Sequence, residues 1–238
     1  MRRTTPEYPD NQDPFELPAT GKARRQPQQA RSRAMMARVI ESASQLVVER
    51  NPEEVTTSLI AERAGVSAAW IYQYFESREQ IFDVIVLDAT RRVFELTRQS
   101  VMGAVERPLR EIVQSSLEAS FHFCAREPAF RKLYMNHWYS KHVLHEHELT
   151  DLAQARWLYA EMTQRGLLCP GESTQCAIEL AVVLSNRGLE QAFKTDPRGN
   201  AMVIHQLVDA VIGILDRYRV SPDANSASSP SSPAAGKR

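Results

Sequence analysis

The chain has 238 residues, with 29 basic and 29 acidic side chains and a formal net charge of zero. That length holds one large domain or two small ones, and the balanced charge gives no global basic signature for nucleic acid. Three cysteines (Cys124, Cys169 and Cys176) fit neither an even disulfide set nor a metal-ligand spacing. No apolar run approaches the roughly 18 residues of a membrane span, and the basic start is not followed by an apolar signal segment, so a cytoplasmic protein with reduced thiols and no membrane partner is expected.

Residues 1–29 are rich in Pro, Gln, Asp and Arg without an apolar period, and are expected to form a disordered arm. Their charge is uneven. Four acids and two arginines precede Gly21, whereas Lys22, Arg24, Arg25, Arg31, Arg33 and Arg38 follow with no acid among them. Such a basic stretch is a candidate phosphate contact, and a solubilising tail is the alternative.

A helical period begins near Ala30, with Met35, Val39, Ile40, Ala43, Leu46 and Val47 on one face. It should stop at Asn51-Pro52, with Asn51 in the left-handed conformation. A second helix starts at Thr56 or Thr57 and runs to Ala64. Gly65 supplies the positive φ that ends it, and Ser67 caps a third helix over residues 67–74. Two short helices about a tight Gly turn are helix-turn-helix chemistry, in which the second helix enters the major groove. Ser77 with Gln80 matches a capping box and opens a long helix to about Gln99, broken only by Gly103 and Arg107-Pro108.

Further helices are expected over 108–127, 129–142, 149–165, 172–194 and 201–219, and the Ser, Ala and Pro tail 221–238 should be disordered. No alternating strand pattern occurs. The predicted fold class is therefore all-α: a helix-turn-helix domain (30–76) joined by a long helix to a larger helical domain (77–220).

The residues Val39-Ile40, Ala43, Leu46-Val47, Thr56, Ile60-Ala61, Ala64-Gly65-Val66-Ser67, Ile71-Tyr72, Phe75, Ser77 and Ile81 carry a specific likeness in type and spacing. On them the chain resembles the tetracycline-repressor (TetR) family of bacterial regulators, over about a quarter of its length. Beyond residue 100 only the layout is similar. Asn51 stands where that family usually has Gly, Arg78 where it often has Lys, and Trp70 where it often has a small or polar residue.

On the third helix Ser67, Ala68, Trp70, Gln73 and Tyr74 project away from the face of Ile71 and Phe75. Gln73 can pair bidentately with adenine, and Ala68, Ala69 and Trp70 can meet thymine methyls. The family layout implies Thr56 or Thr57, Tyr72, Tyr74 and Arg78 as phosphate contacts, with Arg31 and Arg33 as further candidates. Trp70 is read as outward, and Tyr72 as either core or surface.

The resemblance also implies a homodimer on a pseudo-palindromic double-stranded DNA operator, paired through a four-helix bundle of the last two long helices. Ile178, Val182, Leu189, Phe193, Ile204, Val208, Val211 and Leu215 are the interface candidates, with monomer core as the alternative. It further implies a small apolar or aromatic effector among the middle helices, where Phe121, His122, Phe130, Tyr134, Trp138, Trp157 and Tyr159 are the pocket candidates. Aromatic core is the plainer account of those residues.

His137, His142, His145 and His147 lie within eleven residues, interleaved with Glu146 and Glu148. Imidazole and carboxylate suit zinc or nickel, but no two of these histidines are four apart. A solvated helix end and loop is expected, with no metal and no cofactor. An enzyme is disfavoured, because there is no phosphate loop, no metal motif and no Gly-x-Ser-x-Gly, and His122 and Cys124 do not face each other on a helix. The expected function is a ligand-released repressor; an effector-independent DNA-binding protein or activator with a solid core is the alternative.

Overall fold

A computed structural model describes residues 30–104 and 107–220; the expected arm 1–29 and tail 221–238 lie outside these residues. Nine α-helices form among the described residues: α1 (Ala30–Glu49), α2 (Thr57–Ala64), α3 (Ala68–Ile71), α4 (Arg78–Met102), α5 (Leu109–Arg126), α6 (Pro128–Met135), α7 (Lys141–Gln164), α8 (Glu172–Phe193) and α9 (Ala201–Leu215). The described residues contain no β-strand, only an isolated bridge between Leu168 and Arg219.

α1 to α3 close a small core with the first turns of α4. Val39, Leu46, Ile60, Ile71, Phe75, Ile81 and Phe82 are almost wholly removed from water. Met36, rather than Met35, is the buried methionine of α1. Asn51 is extended (φ −66°, ψ 136°) rather than left-handed, because Pro52 disfavours the helical region for the residue before it and opens a short 3-10 turn (Pro52–Glu54). Ser77 caps α4 by position only. Its side chain makes no capping bond, while Gln80 Oε1 accepts from Glu76 N–H at 2.7 Å, one residue before the place a capping box predicts.

α4 is 25 residues long, roughly 37 Å at 1.5 Å per residue. Its first half belongs to the helix-turn-helix core. Its second half packs on α5, α6 and α7 and faces the larger domain. Arg165 at the end of α7 donates to Val101 O (3.0 Å), which serves a carbonyl at the open end of α4.

The larger departure from the sequence reading lies between α6 and α7. α6 stops at Met135, and His137 takes a left-handed φ of 57°. α7 then starts at Lys141, well before the expected Leu149, so His142, His145 and His147 are helical rather than in a loop. The apolar period is weak there because much of this turn faces solvent. Val143 and an inward-turned His147 supply its anchoring instead.

Candidate DNA-recognition unit and interior cavity

Each end of the helix-turn-helix is built by a local device. Thr56 Oγ1 accepts from Leu59 N–H (3.2 Å) and caps α2. Gly65 ends it in the left-handed region (φ 66°, ψ 38°), and Val66 N–H reaches back to Ala61 O at 3.0 Å. Ser67 Oγ accepts from Trp70 N–H (3.1 Å) and starts α3. α3 itself ends at Ile71. Turn-type bonds from Gln73 to Trp70 and from Tyr74 and Phe75 to Ile71 carry the rod on to Phe75. Ile71 and Phe75 are buried, so rotation of this rod is locked and its opposite face is open.

That open face consists of Ser67, Ala69, Tyr72 and Gln73, with Ala68 half-buried at its edge. Tyr72, 47% exposed, is the outward aromatic. Trp70 is corrected to a half-buried position, packed against Tyr74 with ring centroids 4.6 Å apart, because its indole covers the apolar side of the rod. Thr57 is buried and is corrected from phosphate contact to core, leaving Thr56 exposed. Arg31 and Arg33 are exposed at the start of α1.

Arg78 does not point outward for phosphate. Its Nη1 donates to Pro52 O (3.2 Å), Glu53 O (2.6 Å) and Val55 O (2.9 Å), and its Nε to Glu79 (2.8 Å). It therefore fastens the start of α4 to the turn that leads into α2. No sequence pattern signals this role, since the acceptors are main-chain carbonyls more than twenty residues away.

The larger domain contains a cavity of about 110 Å³ between α4, α5, α7, α8 and α9. Its wall is mostly apolar, from residues such as Val93, Ile112, Leu158 and Ile178, with Thr97, Ser116, Ser120, Gln154 and Asn186 as polar points. Thr97 and Ser120 share a hydrogen bond (3.3 Å), whereas Ser116 Oγ is buried without a partner. A smaller void of about 50 Å³ adjoins it through the shared walls of Val93, Gln154, Asn186 and Leu189.

Of the seven aromatic and histidine pocket candidates, only Phe130 and Tyr134 line either void, and both line the smaller one. Phe121 instead stacks on Phe193 (5.0 Å) against the Gly199 turn, and His122 is exposed. Trp138 and Trp157 are half-buried in the outer packing, and the Tyr159 hydroxyl accepts from Gly171 N–H at 3.0 Å. Aromatic density located the domain's packing rather than its void. The void is made by small and aliphatic side chains, which leave the space that large rings fill elsewhere.

Sequence reasoning missed the polar interior. The Tyr134 hydroxyl and His147 Nε2 share a hydrogen bond of 2.6 Å, and His147 Nε2 lies 3.8 Å from Asp151 Oδ2. Asn186 Nδ2 lies 3.0 Å from both oxygens of Asp151. Burial pushes the Asp151 carboxyl above the usual aspartate range, against the opposing pull of His147 and Asn186. Burial likewise raises the Tyr134 phenol, with Glu190 adding to it. The available signal was spacing: Asp151 follows His147 by four, and Asn186 follows Val182 by four on the inward face of α8. The histidines do not converge, since His137 pairs with the Tyr139 hydroxyl (3.0 Å) and His147 turns inward. Among the described residues no group of three or more His, Cys, Asp and Glu could hold a metal.

Three ties join α1 and α4 to the helices that follow. Lys132 of α6 donates to Arg50 O at the end of α1 (2.5 Å). Asp83 of α4, 1% exposed, accepts from Ser140 N–H at the start of α7 (2.8 Å). Arg92 of α4 pairs with Glu127, just before α6 (2.7 Å).

All eight residues proposed for the dimer bundle are buried within the chain itself, because each lies on the side of α8 or α9 that covers the domain core. The outer side carries Leu180 (54% exposed) and Val183 (52%) on α8, with Leu180 beside Gly213 and Ile214 of α9.

Residues 39–85 match the sequence model of a family described as bacterial regulatory proteins, tetR family. An uncharacterized HTH-type transcriptional regulator of Mycobacterium tuberculosis is 33% identical over 76 residues, which cover 32% of this chain. The match spans only 38% of that relative's length. In fold, the chain is similar to a TetR-family transcriptional regulator from Streptomyces coelicolor (TM-score 0.61, 17% identity, 77% of this chain and 99% of that one). It is also similar to SmeT in its complex with triclosan (TM-score 0.58, 14% identity, 79% and 93%). No helix among the described residues is long and apolar enough to cross a membrane.

Proposed function

We infer that this chain, whose residues 39–85 carry the TetR-family N-terminal domain, is a DNA-binding transcriptional regulator that acts in the cytoplasm as a homodimer under small-molecule control. The observation that carries the reading is the helix-turn-helix itself. Two caps and one left-handed glycine hold a rod whose buried side is locked by Ile71 and Phe75, and whose outer side presents Ser67, Ala69, Tyr72 and Gln73. In a major groove Gln73 reads adenine, Ala69 meets a thymine methyl, and the Tyr72 and Thr56 hydroxyls with Arg31 and Arg33 reach phosphates.

One such unit reads one half-site, so a second copy is needed for a specific site. The outer stripe of Leu180, Val183, Gly213 and Ile214 supplies an apolar seam with a small residue for close helix approach. The interior cavity lies along the second half of α4, and the Lys132, Asp83 and Arg92 ties connect its surroundings to the DNA-binding core. A ligand that prefers one arrangement of α4, α6 and α7 changes the separation of the two rods and so the DNA affinity. SmeT, a fold neighbour, is known in complex with triclosan, which supports small-molecule control of this architecture. Release from DNA, as for a repressor, is the direction proposed.

Selection of duplexes from a random pool by the full chain tests the reading. A two-fold symmetric site is expected, and Gln73→Ala should relax preference at one position per half-site. Recovery of no enriched site would refute it. Light scattering should give a dimer that Leu180→Glu converts to a monomer.

A further inference from the structure

The larger void is mostly apolar and the smaller void beside it is charged, and the charges are mostly of one sign. Around the smaller void stand the carboxylates of Asp151 and Glu190, the His147 imidazole and the Tyr134 hydroxyl. Glu190 is paired outward with Arg187 at 2.6 Å, and Arg187 itself is largely exposed. Among the described residues no Lys or Arg is paired with Asp151. Its nearest basic group, His147 Nε2, is 3.8 Å away and already hydrogen-bonded to Tyr134 at 2.6 Å. Its close partner is the neutral amide of Asn186. A part-buried carboxylate held by a neutral amide, with an imidazole 3.8 Å away as its cationic neighbour, leaves room for a closer cation. His147 Nδ1 is buried without a partner at the same place.

We propose that the cavity takes a small amphipathic cation, with an ammonium group against Asp151 and a single ring or short alkyl body in the apolar void beside Val93 and Leu189. The proposal rests on the reading of this cavity as the effector site. An anion would face Asp151 and Glu190 together, and a neutral ligand would leave Asp151 as it is. The Phe130 and Tyr134 rings, stacked on each other at 5.1 Å, both line the smaller void and give it an aromatic wall for the ligand's apolar body. Size agrees as well, since the voids of about 110 and 50 Å³ together are comparable to the ~150 Å³ cavity that accepts one benzene ring.

The test uses the full chain at pH 7 and three one-ring probes that differ in the head group: benzylamine, benzyl alcohol and benzoate. Calorimetric titration should show benzylamine binding about ten-fold or more tighter than benzyl alcohol, as expected for a charge-assisted bond in a buried site, with benzoate weakest. Asp151→Asn should abolish that preference while benzyl alcohol still binds. Glu190→Gln, at the rim, should reduce it by a smaller factor, and it decides the matter if Asp151→Asn does not fold. Equal or better binding of the alcohol or of benzoate, or an amine preference unchanged in the variants, overturns the cation assignment and leaves the effector cavity standing. If none of the three binds, the effector-cavity reading fails, and the cation assignment with it.

Discussion

Arg78 distinguishes a phosphate contact from a structural clamp. In Arg78→Met the side chain keeps its aliphatic stem and loses the guanidinium. The carbonyls of Pro52, Glu53 and Val55 then lose the guanidinium, although Pro52 O keeps the Val55 N–H (3.2 Å). Glu53 O is exposed and can turn to water, so its loss costs little. The bonds to Pro52 O and Val55 O are part-buried, and a hydrogen bond to a charged group contributes about 1.5–3 kcal/mol. One Nη1 group cannot serve both acceptors ideally, and the side chain is a quarter exposed, which discounts the total to about 2–3 kcal/mol. For a protein of this size that corresponds to a fall in Tm of about 4–12 °C by circular dichroism. The salt dependence of DNA affinity should keep its slope, because no phosphate contact is removed. A Tm unchanged within about 1 °C, with a slope of log K against log salt flatter by about 0.9 per half-site, or about 1.8 for the dimer, would show that Arg78 binds phosphate and would refute the clamp.

Gly65→Ala should destabilise by about 1–2 kcal/mol in chemical denaturation, from backbone conformation alone, since nothing lies within 4 Å of the added Cβ; Gly65→Asn should cost less. Gly188→Ala would place a Cβ 2.6 and 2.7 Å from the two methyls of Leu207 at the α8–α9 crossing, for a loss of about 1–3 kcal/mol. A double-mutant cycle with Leu207→Ala should give a combined cost below the sum of the single ones. Asp83 has its pKa raised by burial, against the lowering effect of its Ser140 and His142 neighbours. Its unfolded form therefore loses the proton first, so the stability it contributes is present below the ordinary aspartate pKa and is lost as pH rises through the higher folded value. Asp83→Asn keeps an acceptor for Ser140 N–H and should flatten that acid-side decline in pH-dependent unfolding.

The three ties give the regulatory reading its mechanical content. Lys132 and Asp83 each join a side chain of one helix to a main-chain group at the end of another, so they fix position rather than charge alone. Their acceptor and donor partners, Arg50 O and Ser140 N–H, sit at helix ends. There, groups without an intrahelical partner are available to a neighbouring element.

By itself the amino-acid sequence determined the all-α class, the order of helices, and the helix-turn-helix down to its caps and its left-handed Gly65. These features rest on contacts within a few residues, such as Thr56 to Leu59 and Ser67 to Trp70, so periodicity and capping chemistry express them directly. Tertiary structure alone decided which aromatic faces outward, where α7 begins, and what Arg78, Asp83 and Lys132 hold. It also placed the eight bundle residues in the core and left Leu180 and Val183 outside, because both helices are apolar on more than one side and only packing chooses the side that is covered. The cavity was least legible of all. An interior space is defined by side chains that fail to meet across five helices, and the Asp151 carboxylate in the void beside it gains its Asn186 partner only when α8 packs on α7.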